Sequence, residues 1–419
     1  MSSVSLIPPG STLGMLGGGQ LGGFFTEAAL RMGYKVAVWD PDPLAPAKRH
    51  ATHSIDASFD DEEQIKIFSN IVDAISFEWE NVPNHLVSKL ENGNLVKPGS
   101  KSLKLAQNRI EEKTFLSSNT FPVTSHEFVL NVEEFKAIKV PKPWIVKTAT
   151  LGYDGHGQWK VENDNQESEL LKTIHGESWV IEAVVDYRLE MSVIVVSDGK
   201  GDLIAYPPTE NTHEGGILRM SISPPRLTNE IQNRAVELAK EVIGSLGDAG
   251  VFCVEMFLTT KDEILVNEIA PRPHNSGHHT IEAFSISQYE SQVRALVGLP
   301  VIKPDFLNAS VLLNILGEEA NILNDSDHQF ELYSDSSARL YMYGKQSVRP
   351  RRKMGHVMFL GNSVASLISK AENTVLALKV RVFFPFSKQF QILHSRIQIA
   401  VFGQKEMNIY PRKIFRSQM

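Results

Sequence analysis

Val251-Phe252-Cys253-Val254-Glu255-Met256-Phe257-Leu258 and Glu263-Ile264-Leu265-Val266-Asn267-Glu268-Ile269 flank a short segment ending in Lys261-Asp262. Apolar, β-branched runs of this length around a polar turn read as an antiparallel hairpin. With Lys261-Asp262 as a two-residue turn, Thr260 pairs with Glu263, and counting back along both strands sets Glu255 opposite Glu268. Directly paired side chains lie about 5 Å apart on one face, where two bare carboxylates repel by about 3 kcal/mol at an effective dielectric of roughly 20. A slip of one residue would turn one glutamate to the opposite face, and a shared proton would also relieve the pair. A divalent cation relieves it with both charges kept. Oxygen ligands without thiolates favour Mg²⁺, bound jointly with substrate phosphates.

Upstream, Trp144-Ile145-Val146-Lys147 reads as a strand ending in a lysine, followed by Gly152-Tyr153-Asp154-Gly155-His156-Gly157-Gln158. Three glycines in six residues form a loop rich in free N–H groups, suited to covering phosphates beside that lysine. Trp179-Val180-Ile181-Glu182 is a further strand, and the connector Glu182-Ala183-Val184-Val185 leads to Glu190, which opens the next one. Such a connector can hold an adenine through backbone groups, with a carboxylate on the ribose, or can be an ordinary surface turn. Ser100 to Asn119 reads as one helix carrying Lys104, Arg109 and Lys113, and Asn229 to Leu246 as another.

Downstream of the hairpin, Pro271-Arg272-Pro273-His274-Asn275-Ser276-Gly277-His278-His279 places cation, imidazole and amide on an extended loop. Adjacent histidines on such a segment point apart, and no third ligand is spaced for zinc, so Arg272 facing an anion is the better reading. Gly344-Lys345 and Arg349-Pro350-Arg351-Arg352-Lys353-Met354-Gly355-His356 form a basic cluster that alone could be a nucleic-acid patch.

At the other end of the chain, Thr12 to Leu16, a helical pattern from Leu21 to Met32, and Lys35 to Trp39 form a βαβ opening, with Asp73 to Phe77 a further strand. Gly17, Gly19 and Gly22 fit G-x-G-x-x-G, with Asp40 closing the second strand. That motif suits a dinucleotide, any phosphate ester on a helix N-terminus, or a plain tight turn.

The 419 residues hold 42 Lys or Arg and 49 Asp or Glu, a net charge of −7, which argues against a general nucleic-acid binder. With 42% apolar residues the chain buries real cores, and its length suggests about three domains. No apolar run approaches the roughly 20 residues of a membrane span, and the N-terminus has no signal-like core, so a cytoplasmic protein is expected. The single Cys253 excludes internal disulfides and thiolate clusters. The expected division is a Rossmann-like domain over residues 1–100, an α+β domain over 101–300, a small β-rich domain over 301–378 and a basic tail over 379–419, which contains Phe383-Phe384-Pro385-Phe386.

The order of lysine, glycine lid, connector glutamate and paired glutamates resembles the ATP-grasp superfamily. Gly17-Gly18-Gly19-Gln20-Leu21-Gly22, Asp40-Pro41-Asp42-Pro43, Phe77-Glu78-Trp79-Glu80-Asn81-Val82, the Gly152 to Gln158 loop, Asn267 to His278 and Arg352-Lys353-Met354-Gly355-His356 resemble the N5-carboxyaminoimidazole ribonucleotide synthetase family over about residues 12–365. The resemblance implies an ATP-grasp fold and a homodimeric ligase of purine biosynthesis. It implies ATP, bicarbonate and 5-aminoimidazole ribonucleotide as substrates, Mg²⁺ as cofactor, and neither membrane nor nucleic acid as partner. Arg109, Lys147, the Gly152, Tyr153, Asp154, Gly155, His156, Gly157, Gln158 loop, the Glu182, Ala183, Val184, Val185 connector, Glu190, His213, Asn267 and Glu268 are then the implied ATP contacts. Gln20, Leu21, Glu80, Asp154, Arg272, His274, Asn275, Lys345, Arg352 and Lys353 are the implied ribonucleotide contacts. Glu255 and Glu268 would bind the metal, and Lys147, Arg272 and Asp154 would take part in the chemistry, Asp154 as a proton acceptor. A formate-dependent glycinamide ribonucleotide transformylase is the nearest alternative reading, and a nicotinamide-dependent dehydrogenase a more distant one that leaves the paired glutamates unexplained.

Overall fold

Five parallel strands open the chain: β1 (Thr12–Leu16), β2 (Lys35–Trp39), β3 (His53–Ile55), β4 (Ala74–Phe77) and β5 (Leu95–Val96), in the order β3-β2-β1-β4-β5. This is the strand order of a dinucleotide-type sheet. The computed structural model describes residues 6–383 apart from 151, 153–156, 175–177, 318, 324 and 325. The helix Gln20–Arg31 packs Phe24, Phe25 and Ala29 against β1 and β2. Its outer side is closed by the helix Gln288–Val297, whose Tyr289, Val293 and Leu296 join the same core.

A second, antiparallel sheet of four strands comprises β6 (His126–Val129), β7 (Trp144–Thr148), β8 (Gln158–Val161) and β9 (Trp179–Ala183), in the order β6-β9-β7-β8. Lys147 pairs with Val180 across β7 and β9, so Glu182, two residues on, is its diagonal neighbour on the same face.

The third sheet holds nine described strands. β10 (Tyr187–Asp198), β11 (Leu203–Ala205), β12 (Thr209–Glu214), β13 (Ile217–Ser223), β14 (Ala249–Thr259) and β15 (Ile264–Ala270) are followed by β16 (Ala309–Leu316), β17 (Ala338–Met342) and β18 (Lys353–Gly361). The order is β15-β14-β10-β12-β13-β16-β18-β17, with β11 on β10. The strands after residue 300 thus continue the sheet of the middle segment, tied in by the buried bidentate pair of Arg219 with Glu319 at 2.8 and 2.7 Å.

Three expectations change. The helix read from Ser100 to Asn119 is two helices, Ser100–Gln107 and Arg109–Ser118. Asn108 leaves helical geometry between them and caps the second, accepting from Ile110 N at 2.9 Å and Glu111 N at 3.3 Å. The hairpin turn is one residue longer than two: Thr259 N donates to Glu263 O at 2.9 Å, and Asp262 takes the left-handed φ of +62°. The last described helix, Val364–Phe383, runs through residue 378, where the tail was expected to begin. Residues 384–419 lie outside the described residues. No described helix is long and apolar enough to cross a membrane.

Candidate active site

Glu255 and Glu268 are direct cross-strand partners on β14 and β15, hence on one face. The longer turn puts the ladder out by one residue from Leu258–Ile264 to Met256–Val266, and a bulge at Asn267 restores it at Glu255–Glu268. Burial and the neighbouring Glu255 together raise the Glu268 carboxyl above its ordinary pKa. Burial acts on Glu255 too, but His274, with Nε2 2.9 Å from Glu255 Oε1, outweighs it and holds that carboxyl low. Two facing carboxylates, one of them destabilised by the other, form an oxygen donor set that fits a hard divalent cation.

Beside them, Glu182 is clamped by two lysines: Lys147 Nζ lies 2.6 Å from Oε2 and Lys113 Nζ 2.9 Å from Oε1. All three are buried. Burial opposes the charge on Glu182, yet Lys147 and Lys113 prevail and hold its pKa at about 2. The same lysines reach β15: Lys113 Nζ donates to Asn267 O at 3.0 Å and Lys147 Nζ to Asn267 Oδ1 at 3.4 Å. Next to Lys113, Glu112 accepts from Ile269 N at 2.6 Å, and burial together with Glu268 lifts its pKa to about 8. The break at Asn108 sets Arg109 at the start of its helix, where its amide donates to Ala149 O at 2.8 Å and its guanidinium reaches Thr148 O and Gly152 O at 3.4 Å. A Cβ on Gly152 would come 2.4 Å from Arg109 Nη1, so this glycine admits the arginine.

The glycine loop is anchored at its far end by Thr148 N donating to Gly157 O at 2.9 Å, and Gln158 opens β8. Tyr153, Asp154, Gly155 and His156 lie outside the described residues. The Glu182 carboxylate is taken by the lysines, and the Ala183 and Val184 amides donate to Ser125 O at 2.9 Å and Pro143 O at 3.0 Å, which leaves the Val185 amide among the described residues. Glu190 and His213 are brought together by a hydrogen bond from Nδ1, and Tyr187 Oη donates to the other Glu190 oxygen at 2.5 Å.

A second cluster forms where the first sheet meets the later strands. Arg272 Nη2 is 2.5 Å from Glu80 Oε1. Asn275 is buried and accepts from Asn314 on β16. Lys345 Nζ donates to Lys353 O at 2.8 Å, and Arg352 Nη1 donates to Ser347 O at 2.8 Å. Gln20 and Leu21 begin the helix that follows the glycine run. Glu78, Glu112 and Lys113 stand in this machinery although sequence reasoning assigned them no role. The signal available was the i, i+4 spacing of Arg109 and Lys113 on one helix face.

Residues 11–107 match the ribonucleotide synthetase preATP-grasp domain, residues 114–289 the ATP-grasp domain, and residues 310–370 the phosphoribosylaminoimidazole carboxylase C-terminal domain. Fold and site together define an ATP-grasp ligase. The N5-carboxyaminoimidazole ribonucleotide synthase of Bacillus subtilis is 37% identical over 360 residues, covering 85% of this chain and 93% of the relative. The chain belongs to the N5-carboxyaminoimidazole ribonucleotide synthase family. Among solved structures, the N5-carboxyaminoimidazole synthetase of Staphylococcus aureus complexed with ADP aligns with a TM-score of 0.82 at 32% identity, over 88% of this chain and 98% of that one. The synthase of Aspergillus clavatus in complex with ADP and 5-aminoimidazole ribonucleotide aligns at 0.81 and 27%, over 88% and 99%.

Proposed function

We propose that this chain carboxylates 5-aminoimidazole ribonucleotide with bicarbonate at the expense of ATP, giving N5-carboxyaminoimidazole ribonucleotide, ADP and phosphate in purine biosynthesis, as a cytoplasmic homodimer. The observation that carries the reading is the facing pair Glu255 and Glu268 one residue from Asn267, which both lysines of the Glu182 clamp contact. Phosphoryl transfer needs positive charge held in place around the γ-phosphate. Lys147 and Arg109 supply it from the protein. Glu255 and Glu268 would hold Mg²⁺, which supplies charge neutralisation on the triphosphate when bound.

A bicarbonate oxygen attacks the γ-phosphorus and the bond to ADP breaks, giving carboxyphosphate. That species parts into CO₂ and phosphate, and the substrate amine forms the new N–C bond while losing a proton, with Asp154 as the proposed acceptor. Arg272, held by Glu80, lies on the ribonucleotide side and stabilises the anion; closure of the glycine loop keeps water away. Glu190 with His213 would take the ribose of ATP, and the Val185 amide the base.

The test is ADP formation with each substrate omitted in turn. Release that requires both bicarbonate and 5-aminoimidazole ribonucleotide is expected. Release that follows formate and glycinamide ribonucleotide instead would transfer the chain to the transformylase reading.

A further inference from the structure

The glycine run already holds anions of its own. Gly19 N and Gly22 N donate to the two oxygens of Glu78, the latter at 2.7 Å, and Gly18 N donates to Asp40 Oδ2 at 2.7 Å. Gly17 N donates to Trp39 O at 2.8 Å and Gly23 N to Gly19 O at 3.0 Å. Those amides are the ones that a glycine loop at a helix N-terminus would otherwise present to a phosphate. The glycines are shaped to the carboxylate: a Cβ at Gly17 would stand 2.6 Å from Glu78 Cγ, and one at Gly19 2.4 Å from Glu78 Oε1. Glu78 extends β4, its own amide donating to Leu16 O at 3.0 Å, and its side chain is buried. Two residues on, Glu80 reaches Arg272. Lys345 is near enough to Glu78, and Arg352 to Asp42, for their charges to interact.

We infer that Glu78 is a positioning residue for the ribonucleotide: it fills the amide cradle, bars the substrate's phosphate from the glycine run, fixes the backbone at Gln20 and Leu21, and leaves the phosphate to Lys345 and Arg352. This rests on the reaction proposed above. A phosphate entering the cradle would meet a buried carboxyl group whose two oxygens already take the Gly19 and Gly22 amides, whereas Lys345 and Arg352 offer positive charge.

The test uses the full chain and four variants: Glu78→Gln, Glu78→Ala, Lys345→Ala and Arg352→Ala. In E78Q one amide faces an NH₂ group instead of an oxygen, so the loop loses a charge-assisted hydrogen bond. The expected result is a KM for 5-aminoimidazole ribonucleotide raised about 10- to 100-fold, with the KM for ATP unchanged. A merely structural residue would lower thermal stability and move both constants together, or neither. Either result overturns the inference. So does a lower ribonucleotide KM in E78A, because Glu78 would then be a placeholder that the phosphate displaces. Should E78Q fail to fold, calorimetry with inorganic phosphate decides. With the nucleotide site saturated by a non-hydrolysable ATP analogue, phosphate binding to the unaltered chain that is lost in K345A and R352A supports the inference, and binding that survives both overturns it. If the unaltered chain forms no ADP in response to the ribonucleotide, the proposed reaction fails, and the phosphate titration still decides where an anion sits.

Discussion

Lys113 Nζ lies 2.9 Å from Glu182 Oε1, on a carboxylate whose other oxygen holds Lys147. Glu182 is therefore shared between a lysine facing the proposed phosphate site and a second one behind it. The arrangement fixes the Lys147 ammonium without neutralising it fully, because one negative charge serves two positive ones. Lys113→Met removes half of that clamp and leaves Glu182 Oε1 and Asn267 O buried without their donor. Losing hydrogen bonds of a charged group costs about 1.5–3 kcal/mol of stability, read as a lower urea midpoint at unchanged slope. It also loosens Lys147, and kcat for ADP formation is expected to fall about tenfold. Lys113→Met combined with Glu182→Gln should not restore stability, because Lys147 stays buried without the carboxylate it holds.

The same clamp sets an acid limit. Glu182 has a folded pKa of about 2 against an ordinary 4.5, so the folded state binds its proton less readily than the unfolded chain. The stabilisation is complete above pH 4.5 and is lost as pH falls through 2. It amounts to about 3 kcal/mol at neutral pH. Stability measured from pH 6 down to 2 should therefore decline less steeply in Glu182→Gln than in the unaltered chain, and parallel curves would refute the depressed value.

His274 stood among the expected ribonucleotide contacts, yet its Nε2 sits against Glu255. If the pair Glu255 and Glu268 binds Mg²⁺, a group that orients one ligand controls affinity for the cation. His274→Ala should raise the Mg²⁺ concentration for half-maximal ADP formation by about 10- to 100-fold. Glu268→Gln should raise it further, and chelation should abolish turnover in every variant. A change in the ribonucleotide KM alone, with the Mg²⁺ dependence unmoved, would return His274 to the substrate.

How much of this could be read beforehand follows from the range of each interaction. The facing glutamates were legible because hairpin pairing depends on local counting, though the count succeeds only because an extra turn residue at Asp262 and a bulge at Asn267 cancel. The parallel opening sheet was legible for the same reason: its strands are apolar and its turns glycine-rich. Glu182 was read from the connector that follows it, whereas Lys113, which pairs with its carboxylate, comes from a helix distant in sequence. A lysine on a helix reads as solvated surface until tertiary packing buries it. Glu78 escaped for a related reason. A glycine run and an acidic residue after β4 are each ordinary, and only the parallel pairing of β1 with β4 sets one inside the other.

His278 and His356 stack at 4.9 Å and 23°, one from the loop after β15 and the other from β18, with Phe24 of the first helix against both. Tyr289 Oη lies 2.6 Å from His278 Nδ1 and Tyr343 Oη 2.8 Å from His356 Nδ1. Both imidazoles are fully buried, and neither Nε2 has a hydrogen-bond partner among the described residues. Burial pushes the His356 pKa from 6.5 to about 3, and burial with the neighbouring His356 pushes His278 well below its ordinary value. Both rings are thus neutral in the folded chain. Below pH 6.5 the unfolded state takes up protons that the folded state refuses, so stability declines as pH falls and keeps declining until the folded pKa is passed. Each histidine contributes about 1.4 kcal/mol per pH unit in that window. Because the stack joins the first helix, the middle loop and the C-terminal strand, the loss is shared by all three segments. Urea midpoints taken between pH 7 and 5 should fall in the unaltered chain and fall less steeply in His356→Gln, after allowance for that variant's lower stability at pH 7. Equal slopes in the two proteins would mean that His356 is protonated, or solvated, in the folded state.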